Sequence, residues 1–440
     1  MSAMHRVVRI VLFALIALSG MVATAAAQPE ASPAPEPASP VAVATPVGGG
    51  QQAAWLVLGP DNTIIARAIV DGSCPQLTLD EDVYSMDVRA EPGDDHPVTV
   101  CEAFVPPATE RALIGETPLQ MPVADPRRIL VIGDTGCRLK EGDPIQACND
   151  PAAWPFAEVA ARGADWRPDL IIHVGDYHYR ETACPDGNAG CAGSPWGDTW
   201  AAWQADFFGP AAPLLSAAPW VFVRGNHEDC ARAGEGWFRY LDPRPAPATC
   251  QDITDPYAVD IGDVRAVVLD AAAAGDTSSD AATTDAYRQQ LAEVERLAGD
   301  GPAWLLTHRP FWSLAGDEGG YMEWTTATYT DAGWLQPPAA FEMVIAGHIH
   351  MGQVLTFTEA SGRPFELIVG NSGTSVEFET ATLTGADVGD DTLAEGWRFA
   401  EYGFGGLERV DTGWVVTMPM LDGTVPVSCL VTARAAVCVP

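Results

Sequence analysis

Five times along this chain a short apolar run ends in a side chain of the kind that holds metal ions: GDTG at 133–136, GDYHY at 175–179, GNHE at 225–228, LTH at 306–308 and GHIH at 347–350. Strands that stop at a turn and present Asp, Asn or His at their carboxyl ends are how α/β folds build sites. A chain that repeats the device five times is therefore constrained to a fold in which those strand ends meet. The apolar runs at 129–132, 170–174, 220–223, 264–269, 304–306, 343–346 and 367–369 are short and bounded by Gly, Pro or Asp, which reads as buried strands. Helices are expected between them at 151–162, with Asp150 as cap, at 200–208, and at 285–297, closed by Gly299. Tyr287, Leu291, Val294 and Leu297 recur at helical spacing, a core stripe rather than a site. Two packed mixed β-sheets flanked by helices follow from this pattern.

The 440 residues are too many for one ordinary core. Residues 1–27 read as a secretory signal peptide: His5, Arg6 and Arg9 are basic, 10–17 is apolar, and Ala25, Ala26 and Ala27 form a small-residue cleavage site. The alternative, an uncleaved anchor, meets the objection that the apolar stretch falls short of the ~20 residues of a span. Residues 28–51 are a Pro/Ala-rich linker, 52–125 a small all-β domain, and 126–440 the catalytic domain, whose tail from 403 to 439 reads as antiparallel strands. The expected setting is secreted or periplasmic, with no membrane association after cleavage. Ten cysteines suit an oxidising compartment, and nearest-neighbour pairs are the sterically easiest: Cys74 with Cys101, Cys137 with Cys148, Cys184 with Cys191, Cys230 with Cys250, and Cys429 with Cys438. Three of these would staple loops just after the GDTG, GDYHY and GNHE segments. The formal charge of −35 excludes general phosphate attraction, so no nucleic acid partner is expected.

As inorganic chemistry, Asp134, Asp176 and Tyr179 offer three oxygens and His350 one nitrogen, a hard set suited to a highly charged ion. A phenol ionises at neutral pH only beside a strong Lewis acid, so Tyr179 as a ligand points to Fe3+. Asn226, His308 and His348, with Asp176 shared, carry less negative charge and suit a divalent ion such as Zn2+, Mn2+ or Fe2+. His178 is the rival to Tyr179. Such a two-metal site activates water and clamps a phosphoryl group.

The ordered motifs, with Asp134 and Gly136, Asp176 and Tyr179, Asn226 and His227, His308, and His348 and His350, resemble the calcineurin-like metallophosphoesterase superfamily, and within it the purple acid phosphatase branch. Gly136 and Tyr179 are the residues that point to that branch. The resemblance implies the four-layer metallophosphoesterase fold, Fe3+ at Asp134, Asp176, Tyr179 and His350, and a divalent ion at Asp176, Asn226, His308 and His348. It further implies hydrolysis of small phosphate monoesters by in-line attack of a metal-bound hydroxide. His227 would contact the phosphate and protonate the leaving group. The Cys-rich insert at 184–196 departs from the family pattern. Alternatives are a phosphodiesterase or nucleotide hydrolase of the same superfamily, or an extracellular binding protein with vestigial chemistry. Glu228 and Asp229 read as supporting or surface groups, His173 as core, and Trp196, Trp200 and Trp203 as packing. The turn at 370–373 could line the cleft or simply be tight.

Overall fold

The seven apolar runs all become strands, and their hydrogen-bonding places them in two sheets. In the computed structural model, which describes residues 50–316, 322–324 and 326–440, one sheet of eleven strands carries Arg128–Ile132, Leu170–His173 and Trp220–Phe222 as parallel neighbours. A second sheet carries Val264–Leu269, Ala303–Thr307, Phe341–Ala346 and Phe365–Val369 in parallel order. Antiparallel strands extend both, so each sheet is mixed. The signal peptide and nearly all of the linker lie outside the described residues.

Strands buried on both faces need apolar residues on both, which is why these runs are nearly continuous rather than alternating. Between the sheets Ile129, Val131, Ile172, Val221, Val268, Leu306, Ile345 and Leu367 form one core. The outer face of the first sheet, with Leu130, Ile132, Ile171 and Phe222, packs against Phe156, Val159, Trp203, Phe207 and Trp237. The outer face of the second, with Val267, Leu305 and Val344, packs against Tyr287, Leu291 and Val294 of the helix Ala281–Ala298. The result is four layers: helices, sheet, sheet, helices.

Two helix boundaries differ from expectation for local reasons. The first helix runs Phe156–Asp165. The residue before a proline is pushed out of the α region, so Pro155 sets the start there, while Asp150 caps only a turn, through Ala152 N–H at 2.9 Å. The long helix begins earlier, at Ala281, because Asp280 accepts from the backbone N–H groups of Ala282 and Thr283 at 2.9 and 3.0 Å.

Strands Gln51–Leu58, Ile64–Val70 and Thr99–Val105 follow the expected β pattern of the N-terminal region. Gln51–Leu58 runs parallel to Trp220–Phe222 and pairs Val57 with Trp220, so strands on either side of residue 125 share one sheet. Buried Arg67 reaches the carbonyls of Tyr240 and Asp242 at 2.8 and 3.0 Å. Arg89 reaches that of Phe238 at 2.7 Å, and Glu102 lies 2.9 Å from both guanidinium groups. The last turn of the helix Gly234–Tyr240 thus has its free carbonyls met by arginines from a distant segment. The five nearest-neighbour cysteine pairs are all joined as disulfides.

Candidate metal centre

All five motif segments sit at the carboxyl ends of parallel strands, and the backbone there is bent against its preference. Asp134, Asp176 and His348 adopt φ of 54°, 59° and 72°, a left-handed conformation that non-glycine residues rarely take. Such strain persists only where the surroundings over-determine it, and it gathers at sites. Here Asp134 N–H is held by Gly175 O at 2.9 Å and His348 N–H by the Asp134 carboxylate at 2.9 Å. Gly175 shows what the glycines allow: its φ is +104°, and a Cβ on it would lie 2.5 Å from His308 Nδ1. Gly175→Ala is expected to cost about 1–3 kcal/mol of stability from the backbone alone and to displace His308. An unchanged denaturant midpoint with full metal uptake would refute that reading.

The side chains meet at two points. At the first, Tyr179 Oη lies 3.1 Å from Asp134 Oδ1, 2.6 Å from Asp176 Oδ2 and 2.7 Å from His350 Nε2. One phenol proton cannot serve three acceptors. At the second, His308 Nε2 lies 3.1 Å from Asp176 Oδ2 and 3.0 Å from Asn226 Oδ1, while its Nδ1 donates to Val174 O at 2.7 Å. His348 joins Asp176 and His308 in a cluster of possible ligand atoms within 4.8 Å of one another, as Asp134, Asp176 and His350 do in the other. Potential ligand atoms thus converge twice in a buried space, with Asp176 common to both. A cation at each point satisfies them, so the residues present fit two metal ions.

The histidines are oriented by acceptors that the motifs do not contain. Glu377 lies 3.1 Å from His350 Nδ1 and Asp276 3.1 Å from His348 Nε2, the carboxylate–histidine arrangement that turns the other ring nitrogen toward a metal. The hydrogen bond from His350 is the main reason that the Glu377 pKa falls to about 2. Glu181 engages His227 Nδ1, and the His227 ring lies over Tyr179 with centroids 3.9 Å apart. Glu228 is buried behind the site, accepting from the backbone N–H groups of Gly225, Asp176, Tyr177 and His178 at 2.8 to 3.1 Å. Asp206, on a π-helical turn at Gln204–Phe208, accepts from Tyr179 N–H at 2.8 Å and Cys137 N–H at 3.1 Å. Glu181, Asp206, Asp276 and Glu377 lie in no motif and carried no sequence signal; Glu228 did, as the end of GNHE.

His178 turns away from the cluster, its Nε2 3.0 Å from Gly197 O. His173 is a core group, stacked on Tyr177 and 2.9 Å from Thr135 Oγ1. Trp200 and Trp203 are buried packing, but Trp196 is 53% exposed, because it stands on the Cys-rich insert rather than on the helix that follows. The turn at 370–373 is pinned beneath the first motif, with Ser372 N–H 3.3 Å from Gly133 O and Thr374 N–H 2.8 Å from Asp134 O.

The electrostatics follow from crowding acids and histidines out of water. Burial, with Asp176 adding to it, raises Asp134 to about 6. Burial also opposes the Asp176 carboxylate, yet His308 and His227 outweigh it and hold its pKa well below the ordinary range. Burial disfavours the His308 cation, but Asp176 beside it carries the pKa up from 6.5 to about 9. In the metal-free protein this favours a second, charge-bearing proton on His308 at pH 7. That proton's stabilising contribution is full below pH 6.5 and is lost as pH rises through about 9. Metal binding at pH 7 should release it, as seen by calorimetry in buffers of different ionisation enthalpy, and the release should fade above pH 9. Uptake without proton release would place the ion elsewhere.

Residues 127–352 match the calcineurin-like phosphoesterase family. Among solved structures, the purple acid phosphatase PPD1 from yellow lupin (Lupinus luteus) seeds aligns with a TM-score of 0.50 and 13% identity, over 84% of this chain and 72% of that one. PhoD aligns with a TM-score of 0.56 and 11% identity, over 90% and 94%. At these identities the likeness is one of fold. A search of curated proteins found no match.

Proposed function

The chain belongs to the calcineurin-like phosphoesterase family and is a metal-dependent phosphoesterase, and from that premise we propose that it hydrolyses small phosphate monoesters in the manner of a purple acid phosphatase. The observation that carries this reading is Tyr179 Oη at the meeting point of Asp134, Asp176 and His350. We assign Fe3+ to those four residues, and Zn2+, Mn2+ or Fe2+ to Asp176, Asn226, His308 and His348. When bound, the two ions supply Lewis acidity toward water and the phosphoryl oxygens. Asp176 serves both sets, Tyr179 adds anionic oxygen to the first, and neutral Asn226 keeps the second less negative. His227 presents Nε2 on the Asp176 side, 3.9 Å from Oδ2, while Glu181 occupies Nδ1. That leaves Nε2 to hold and deliver a proton to the leaving alkoxide.

The assignment of Fe3+ has its own test. Protein loaded with iron should show a visible phenolate-to-Fe3+ charge-transfer band, and Tyr179→Phe should abolish it. A band that survives would remove Tyr179 from the metal.

We further read the protein as exported, with 1–27 cleaved, 28–51 a linker and 52–125 a β region ahead of the catalytic part. Five disulfides among the described residues support an oxidising compartment. No helix among the described residues is long and apolar enough to cross a membrane. The direct test of function is hydrolysis of p-nitrophenyl phosphate beside bis-p-nitrophenyl phosphate by protein loaded with a panel of metals. Monoester preference is the expected result, and diester preference would move the protein to the phosphodiesterase reading.

A further inference from the structure

We propose that Arg138 grips the phosphoryl oxygens of the substrate and selects a doubly negative terminal phosphate, an inference that rests on the phosphoesterase reading of the same site. Arg138 follows Cys137 in the loop closed by the Cys137–Cys148 disulfide, and only 7% of it is exposed. Its Nη2 donates to Glu377 at 2.6 Å, touches His350 Nδ1 and lies 3.5 Å from His350 Nε2. His350 Nε2 is itself 2.7 Å from Tyr179 Oη, so the guanidinium stands beside the first point of convergence.

Two features support an acceptor there. First, Arg138 Nε is buried with no hydrogen-bond partner, and an unmet buried donor is costly. The other arginines around the cluster have theirs: Arg309 meets Asp276 and Ala271 O, Arg232 meets Asp229, Glu181 and Asn226 O, and Arg180 meets Asp206. Second, Asp134, Asp176 and an ionised Tyr179 would offset the ion at the first point, and Glu377 is the carboxylate that the guanidinium meets. A phosphate oxygen reaching toward that ion would give the remaining guanidinium donor its acceptor. The planar fork of Arg matches two phosphate oxygens, which a lysine cannot do. The chain carries 59 acidic residues against 24 basic ones, so without such a local donor its overall field opposes a dianionic substrate.

The test is calorimetric titration of inorganic phosphate into metal-loaded wild-type, Arg138→Ala and Arg138→Lys proteins, each assayed for metal content. Arg138→Ala should weaken phosphate binding about 10- to 100-fold while retaining both ions, and Arg138→Lys should recover part of the loss. KM for p-nitrophenyl phosphate should rise in parallel, with a smaller change for the singly charged diester. Phosphate affinity within about twofold of wild type would overturn the proposal, as would a wild type that binds no phosphate. Loss of an ion in Arg138→Lys would instead assign Arg138 to holding His350 and Glu377. Because the titration needs no turnover, a failure of the monoester reading leaves this result readable on its own.

Discussion

Asp176→Asn should abolish hydrolysis and leave the protein short of metal. Asp176 is buried, and each of its oxygens has a separate task. Oδ2 lies within 2.6 Å of Tyr179 Oη and 3.1 Å of His308 Nε2, so it faces both candidate ion positions. Oδ1 accepts the backbone N–H of His227 at 2.9 Å and so sets the loop that carries Asn226 and His227. Asparagine keeps the shape but removes the charge and turns an NH2 group toward one of these partners. We expect kcat/KM for p-nitrophenyl phosphate to fall by at least about 10³-fold, equivalent to about 4 kcal/mol of transition-state stabilisation. Metal content measured on the same sample should drop from two ions per chain. A variant that keeps both ions and more than a tenth of its activity would show that Asp176 is not the shared residue.

His227→Ala should separate chemistry from metal binding. The His227 ring meets Tyr179 and Glu181 and is not needed to close either cluster, so both ions should stay. Loss of a positioned proton donor typically costs 10²- to 10⁴-fold, and kcat should fall within that range while metal content holds. The pH profile gives a second reading. Burial lowers the His227 pKa below its ordinary 6.5, against the opposing pull of Asp176 and Glu181. A proton donor with such a pKa is charged on the acid side, so wild-type kcat should decline as pH rises through the region below 6.5. That limb should be missing in His227→Ala. Substrates with good leaving groups, which need no proton, should be least affected. Loss of an ion in the variant would mean that the ring supports the metal centre instead.

Much of this candidate site is legible before any fold is known, because each metal-type residue lies within a few residues of the strand that carries it. Asp134, Asp176, Asn226, His308 and His348 stand one to four residues past a strand end, so the strand pattern and the motif report on each other. Tyr179 and His178 are nearly equivalent by sequence. In extended backbone adjacent side chains point to opposite sides, and which side faces the cluster depends on Asp206 and Gly197, both remote in sequence.

What the sequence by itself determined are the contiguous features: seven buried strands, the order of the metal-type residues along them, and cysteine pairs that close short loops. These depend on local periodicity and on chain distances of a few residues. Only the tertiary structure decided the partners that aim the histidines. Glu377 reaches His350 across 27 residues, Asp276 reaches His348 across 72, and Glu181 reaches His227 across 46. It also decided that Gln51–Leu58 lies beside Trp220–Phe222 in one sheet. A carboxylate on an irregular loop has no pattern of its own, and a strand edge does not name its neighbour. Both acquire their roles when apolar burial folds the chain and brings distant segments into hydrogen-bonding range.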